Sequence, residues 1–202
     1  MIVDKNNIIP NLVHSGSPVI IDIGCGNHKK NPNWIGIDFL DYDCVDIVGD
    51  IFEVLKAMSD NSVDEVYASH FFEHIGDIKR LLGEIERVLK KNGKINIIVP
   101  HFSNPYFYSD YTHTLFFGLY SFCYLTNSSL FIRKVPTYQN VTSLELTNVH
   151  LGFKSPFYLT YAIRRFILQP IFNSSNFIKE IYENSFCYVF PCYELTYSIT
   201  KK

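Results

Sequence analysis

A doubly wound α/β fold around a mainly parallel sheet is expected from three features of the sequence. Short Val/Ile-rich runs recur through the first hundred residues, separated by turn signals and helical stretches. Continuous apolar runs of this kind suit strands covered on both faces, as parallel sheets require. Asp22, Asp38 and Asp50 each stand at the end of one such run, which places three acids on a single carboxyl rim. Gly24 and Gly26 come directly after the first run, where a missing Cβ lets backbone turn sharply and approach a ligand. In open α/β sheets that rim is where ligands bind.

Residues before Val19 lack a strong period and end in the turn-rich Ser15-Gly16-Ser17-Pro18. Val19 to Ile23 forms the first strand and Trp34 to Asp38 the second. Pro32 argues against a long helix in the short crossover between them. A third strand, Val45 to Val48, leads through Gly49-Asp50 into a short helix over Phe52 to Met58, with Asp50 or a neighbour as cap. Val63 to about Ala68 is the fourth strand. Ile78, Leu81, Leu82, Ile85, Val88 and Leu89 then share one helical face, with Asp77 as N-cap, Lys90-Lys91 suiting the negative end of the dipole and Asn92-Gly93 as stop. Ile95 to Val99 is the fifth strand, ended by Pro100.

Beyond His101 the pattern becomes aromatic. Tyr120 to Tyr124 can begin a helix, and Val141 to Val149 and Glu194 to Ile199 read as strands able to pair at the end of the sheet. Phe157 to Leu168 reads as a helix started by Ser155-Pro156 and stopped by Pro170. Core packing is its expected fate, with a membrane surface or a homodimer contact as the alternatives. Phe177 to Tyr182 adds another helical turn or two. The whole is expected to be one domain, 1–202, with residues 18–100 as a ligand-binding half and 101–140 and 151–190 as acceptor or lid insertions.

Composition narrows the classes. Apolar residues make up 47% and charged residues 19%, so the chain is globular, and a net charge of −2 gives no reason to expect nucleic acid. Five irregularly spaced cysteines fit neither a disulfide framework nor a zinc pattern, which points to reduced thiols in a cytoplasm. The start lacks the apolar core of a signal peptide, and no window is long enough to span a membrane.

The glycine loop selects among nucleotides. A dinucleotide site needs a third glycine opening a long helix, and here that position is Lys29. A nucleoside without phosphates fits better. Asp38 can accept from both ribose hydroxyls, Asp50 from an adenine amine, and Asp22 can hold a cationic amino-acid end.

These residues carry a family resemblance. Asp22-Ile23-Gly24-Cys25-Gly26 resembles motif I of class I S-adenosylmethionine-dependent methyltransferases. Asp38 is similar to the acid ending their second strand, and Gly49-Asp50-Ile51 to the segment lining the adenine. Val63 to Ser69 with Glu73-His74 beyond it resembles their fourth strand and the helix after it, and Leu89 to Val99 their helix-turn-strand unit. The resemblance implies S-adenosyl-L-methionine as cofactor and a Rossmann-like seven-stranded sheet with an antiparallel last strand and helices on both faces. The implied cofactor-binding set is Asp22, Gly24, Cys25, Gly26, Asp38, Asp50, Ile51, Ser69 and His70. The short first crossover and Asp110-Tyr111-Thr112-His113 resemble methyltransferases of bacterial surface-polysaccharide clusters, which implies a sugar hydroxyl as acceptor.

Other readings stand beside these. Asp38 and Asp50 could serve only as caps or turn formers. Cys25 is expected to matter through its backbone, and His70 either to touch ligand or to pack. A hydroxyl acceptor benefits from a general base, and His101, or His113 with Asp110, are the candidates. The aromatics from Pro105 to Tyr120 suit a platform for sugar or ring faces, or a packed lid. His70-Phe71-Phe72-Glu73-His74 spells H-x-x-E-H, an inverted zinc-enzyme motif. The resemblance accounts for Glu73-His74 without a metal and no third-ligand segment comes after it, so no metal is expected. A small aromatic or other metabolite as acceptor, an NAD-dependent oxidoreductase and a non-catalytic binding subunit of the same fold remain the rival functions.

Overall fold

The computed structural model describes residues 2–14, 16–136, 138 and 142–202, so expectations resting on Met1, Ser15 and Val141 lie outside the described residues. The described strands are β1 (Val3–Asp4), β2 (Ile20–Ile23), β3 (Ile35–Asp38), β4 (Ile47–Val48), β5 (Val63–Ser69), β6 (Leu89–Pro100), β7 (Leu144–Gly152) and β8 (Glu194–Lys201). They form one sheet in the order β1-β4-β3-β2-β5-β6-β8-β7. The pairs β2·β3, β3·β4, β2·β5 and β5·β6 are parallel, while β8 runs antiparallel to both β6 and β7. The predicted C-terminal pair is therefore present, with β8 between β6 and β7. The count exceeds the expected seven by one, because Val3–Asp4 adds an antiparallel edge to β4.

Burial explains why β2 lies at the middle. Ile21 and Ile23 are fully buried, and even Asp22 is 2% exposed. Among the described residues no helix intervenes between β2 and β3, as the Pro32-containing crossover requires. α1 (Ile51–Ala57) starts on Asp50, whose carboxyl accepts from the Phe52 and Glu53 amides. α2 (Ile78–Val88) starts on Asp77 and buries Leu81, Leu82, Ile85 and Val88, each apolar side chain contributing roughly 1.5–3 kcal/mol. Arg87 joins the two helices by donating to the α1-terminal carbonyls of Leu55 and Met58 at 2.6 and 2.9 Å.

Three expectations need correction. α2 ends at Val88 and β6 begins at Leu89, so Lys90-Lys91 lies in the strand and Arg87 is the cation of the last turn. Asn92, at φ 63°, makes its turn inside that strand rather than at the helix end. Pro170 does not end its helix. α3 (Tyr158–Ile163) continues through a π turn, Arg164–Leu168, into α4 (Gln169–Phe172). The π turn shifts the hydrogen-bond ladder ahead of Pro170, which then falls in the first turn of α4, where no N–H is needed. Nor does this segment pack into the core: Tyr158, Leu159 and Phe166 are 88%, 72% and 73% exposed. α5 (Asn176–Ile181) leads into a second π turn, Tyr182–Phe186, and Tyr182 and Phe172 are the aromatics that seal this part against the sheet.

Candidate active site

The glycine loop takes the conformation its residues permit. Gly24 and Gly26 have φ of +66° and +58°, the left-handed region where a Cβ costs energy. The Gly24 amide donates to Ile37 O at 2.8 Å and the Gly26 amide to Asp38 Oδ2 at 2.8 Å, tying the loop to the end of β3. Asp38 Oδ1 accepts from the Leu40 amide, and Asp22 Oδ2 accepts from the Lys30 amide, each at 2.8 Å. Burial holds the Asp22 carboxyl above its usual range against that hydrogen bond. The three acids thus brace the rim, and Asp50 does cap a helix.

A cavity of about 190 Å³ opens between these groups. Gly24, Asp38, Asp50 and Ile51 line it, together with Phe39, Phe71 and Ile75. Asp22 lies beneath the loop, and Gly26, Ser69 and His70 stand outside the cavity wall. Cys25 is buried, with its thiol pushed up to about 12, first by burial and then by Asp22, so its side chain fills space against Gly36. Phe71 escaped sequence reasoning. Its ring lies so close to Gly24 that a Cβ there would stand 2.9 Å from Phe71 Cγ and closer still to Cδ2.

Past the end of β5 the chain enters a polar cluster. His70 adopts φ +55°, a conformation non-glycine residues avoid and one found at functional sites. Its Nε2 lies 3.6 Å from Glu194 Oε2 and its Nδ1 3.2 Å from Glu73 Oε1. Hydrogen bonding to Glu194, then to Glu73, pushes His70 up to about 9, so it is a cation at neutral pH. Burial pushes Glu194 up, but bonds from His70 and Lys154 outweigh it and leave the carboxyl low. Lys154, bonded to Glu194 at 2.7 Å, opens onto a cleft of about 420 Å³ that Tyr106, Tyr161 and Tyr193 also line.

The other side of the cluster joins two distant segments. The Glu73 carbonyl accepts from the Thr114 amide at 2.8 Å, which brings residues 110–115 beside Glu73-His74. His113 Nδ1 donates to Phe107 O at 2.9 Å, and its Nε2 is 3.6 Å from Asp110 Oδ2. The Thr112 hydroxyl and amide hold Asp110 below the usual carboxylate range.

His101 is elsewhere. Its ring has 0% exposure, with Nδ1 accepting from the Ser103 amide at 3.0 Å and Nε2 3.3 Å from Glu183 Oε2. A general base must reach the proton it abstracts. In this structure the ring is sealed from the cofactor cavity, in contrast to the open position expected of His101 as base.

Comparisons place these features among known proteins. A family model described as a methyltransferase domain matches residues 21–97. Among curated proteins, none matches the sequence. A solved S-adenosylmethionine-dependent methyltransferase from Archaeoglobus fulgidus is 21% identical, with 96% of this chain and 90% of that one covered at a TM-score of 0.59. A structure described as a putative methyltransferase from Bacillus halodurans is 15% identical, covering 96% and 98% at a TM-score of 0.58. The phosphoethanolamine N-methyltransferase 2 of Haemonchus contortus, in complex with S-adenosyl-L-methionine, is 14% identical, covering 98% of this chain and 52% of that one at 0.53.

Proposed function

We propose, from the premise that residues 21–97 are a methyltransferase domain in a chain of class I methyltransferase fold, that this protein binds S-adenosyl-L-methionine and methylates oxygen on a small acceptor. The cavity at the end of β2 carries the reading. Its walls offer Asp38 for ribose hydroxyls, Asp50 and Ile51 for adenine, and Gly24 for close approach of the amino-acid end. Asp38 and Asp50 each use lone pairs on backbone amides, yet a carboxyl group has about four acceptor sites, so both can serve ligand as well. Asp22, Cys25 and Gly26 shape the loop from below, and Ser69 and His70 border the cofactor on the acceptor side.

When bound, S-adenosyl-L-methionine would supply a methyl group from its sulfonium to the acceptor oxygen, the bonding pair staying on sulfur and the hydroxyl proton passing to a base. Much of the catalysis comes from holding these atoms in line. His113, paired with Asp110, is the group we assign to the acceptor hydroxyl. Residues 18–100 bind cofactor, and 101–140 and 151–190 close the acceptor side.

A sugar hydroxyl of a surface-glycan precursor is the preferred acceptor. The tyrosines and Lys154 of the neighbouring cleft support it, since aromatic faces stack on sugar rings and a cation suits a phosphorylated sugar. A cytoplasmic site suits such a precursor, and among the described residues no helix is long and apolar enough to cross a membrane. The exposed apolar side of α3, with Arg164 and Arg165 beside it, supports peripheral membrane contact or a homodimer; vesicle co-sedimentation and analytical ultracentrifugation separate the two.

Thermal shift with S-adenosylhomocysteine, S-adenosylmethionine and NAD tests the cofactor. A ligand at a hundred times its Kd adds about 2.7 kcal/mol. Stabilisation by the first two supports the reading, and stabilisation by NAD alone overturns it in favour of an oxidoreductase. Mass spectrometry of a glycan and metabolite panel then tests the acceptor, and methylation of only an aromatic metabolite would remove the sugar assignment.

A further inference from the structure

We propose that Glu73, His74 and His113 form a binding site for one divalent transition-metal ion, on the rim beside the cofactor cavity. The motif H-x-x-E-H suggested no metal by itself because no third ligand stood after it in sequence. The fold supplies that ligand from residue 113. One donor atom from each of the three side chains lies within 4.8 Å of the others.

Two further observations point to a cation there. Glu73 is 0% exposed, and its Oε2 is the buried side-chain atom left without a hydrogen-bond partner among the described residues. An orphaned buried polar atom is costly and a bound water or ion relieves it; with two histidine nitrogens within 4.8 Å of a Glu73 oxygen, the cluster suits the ion. The histidines are also prepared as ligands. His113 Nδ1–H donates to Phe107 O, so Nε2, 3.6 Å from Asp110 Oδ2, is the ring nitrogen open to a ligating role. The Thr112 hydroxyl donates to Asp110 and accepts from His74 Nδ1–H at 3.0 Å, which again leaves Nε2 free to ligate. Outer hydrogen bonds of this kind fix the tautomer and orientation of metal-binding histidines.

Two imidazoles and a carboxyl group suit zinc, and manganese or iron next, but not magnesium, which prefers oxygen donors and retained water. Metal–ligand bonds near 2 Å need the three donors drawn closer than they stand. His74 is exposed and supplies that freedom. Three protein ligands leave a coordination position open. On the methyltransferase reading the bound ion, with His113 as its ligand, would take that residue's place at the acceptor hydroxyl, whereas the metal site itself stands without that reading.

The test is direct titration. Chelator-stripped full-length protein is titrated with zinc, manganese or magnesium against a chromophoric competitor, with the half-buried Cys44 thiol alkylated, the other four cysteines being buried. One equivalent of zinc or manganese per chain is expected, with magnesium failing to compete. Substituting even an outer-shell partner typically weakens binding about 10–100-fold, so His74→Ala and His113→Ala should each weaken it at least about tenfold. His74→Ala alters a surface side chain, and circular dichroism verifies that it folds. Absence of stoichiometric zinc or manganese, or unchanged affinity in the double variant, overturns the site. Loss of the metal result while S-adenosylhomocysteine still binds strikes this inference alone, and the converse strikes only the functional reading.

Discussion

Replacing Gly24 by alanine should damage the protein in two separable ways. The residue sits at φ +66°, and placing an L side chain in that region costs about 1–2 kcal/mol. The new Cβ would also stand 2.9 Å from Phe71 Cγ, and overpacking of this kind typically adds about 1–3 kcal/mol. The sum, about 2–5 kcal/mol, is a large part of the roughly 5–15 kcal/mol that stabilises a domain. At about 2–4 °C per kcal/mol for a chain of this size, Tm should fall by about 4–20 °C. Gly26→Ala is the control, because its φ is +58° but nothing lies within 4 Å of an added Cβ. It should lose only the backbone part, about 1–2 kcal/mol. Thermal melts of Gly24→Ala, Phe71→Ala and the double variant form a cycle, and contact between the sites predicts a coupling of about 0.5–3 kcal/mol. Equal losses at Gly24 and Gly26, with no coupling to Phe71, would refute the placement of the ring over the loop.

Single groups give the remaining outcomes. Asp50→Ala removes the acceptor for two α1 amides and should cost about 0.5–2 kcal/mol by denaturant titration, with weakened S-adenosylhomocysteine binding besides; Asp50→Asn should keep most of the stability. His101→Ala removes one bond each from Ser103 and Glu183, which keep those from the Cys192 and Leu119 amides, and at about 0.5–1.5 kcal/mol per bond should cost about 1–3 kcal/mol, while calorimetry should show cofactor affinity changed by less than about twofold. His150 is pushed low by burial, then by Lys179 and Arg165, and its Nε2 accepts from Gln169. The unfolded chain therefore takes up this proton first, so stability present above about pH 6.5 should decline as pH falls toward the lower folded value, by at most about 1.4 kcal/mol per pH unit. His150→Gln should flatten that slope in urea melts from pH 7 to 5, and an unchanged slope would discount the group.

Much of the first hundred residues was legible because local pattern and tertiary environment agree there. Ile21 and Ile23 are apolar for a strand buried on both sides, and Leu81, Leu82, Ile85 and Val88 lie on one helical face. The acids of the rim were readable because they end those strands. The features that escaped reading depend on partners distant in sequence. β1 is two residues long and exists through pairing with β4. The π turn before Pro170 has no residue signature, and the apolar character of Phe157 to Leu168 suggests burial although α3 stays at the surface. His101 looked available because it comes just after β6, but Ser103, Glu183 and Tyr182 enclose it from later segments. The meeting of His113 with Glu73-His74 rests on the bond from the Thr114 amide to Glu73 O, which no spacing announces.

The account turns on the occupant of the cavity at the end of β2, and isothermal titration of S-adenosylhomocysteine into wild-type protein and Asp38→Ala reads it directly. One molecule should bind per chain, and loss of the ribose contacts should weaken it at least about tenfold, corresponding to about 1.4 kcal/mol. NAD should give no heat of binding. Binding of NAD in place of S-adenosylhomocysteine, or an affinity indifferent to Asp38, would contradict the assignment of the site.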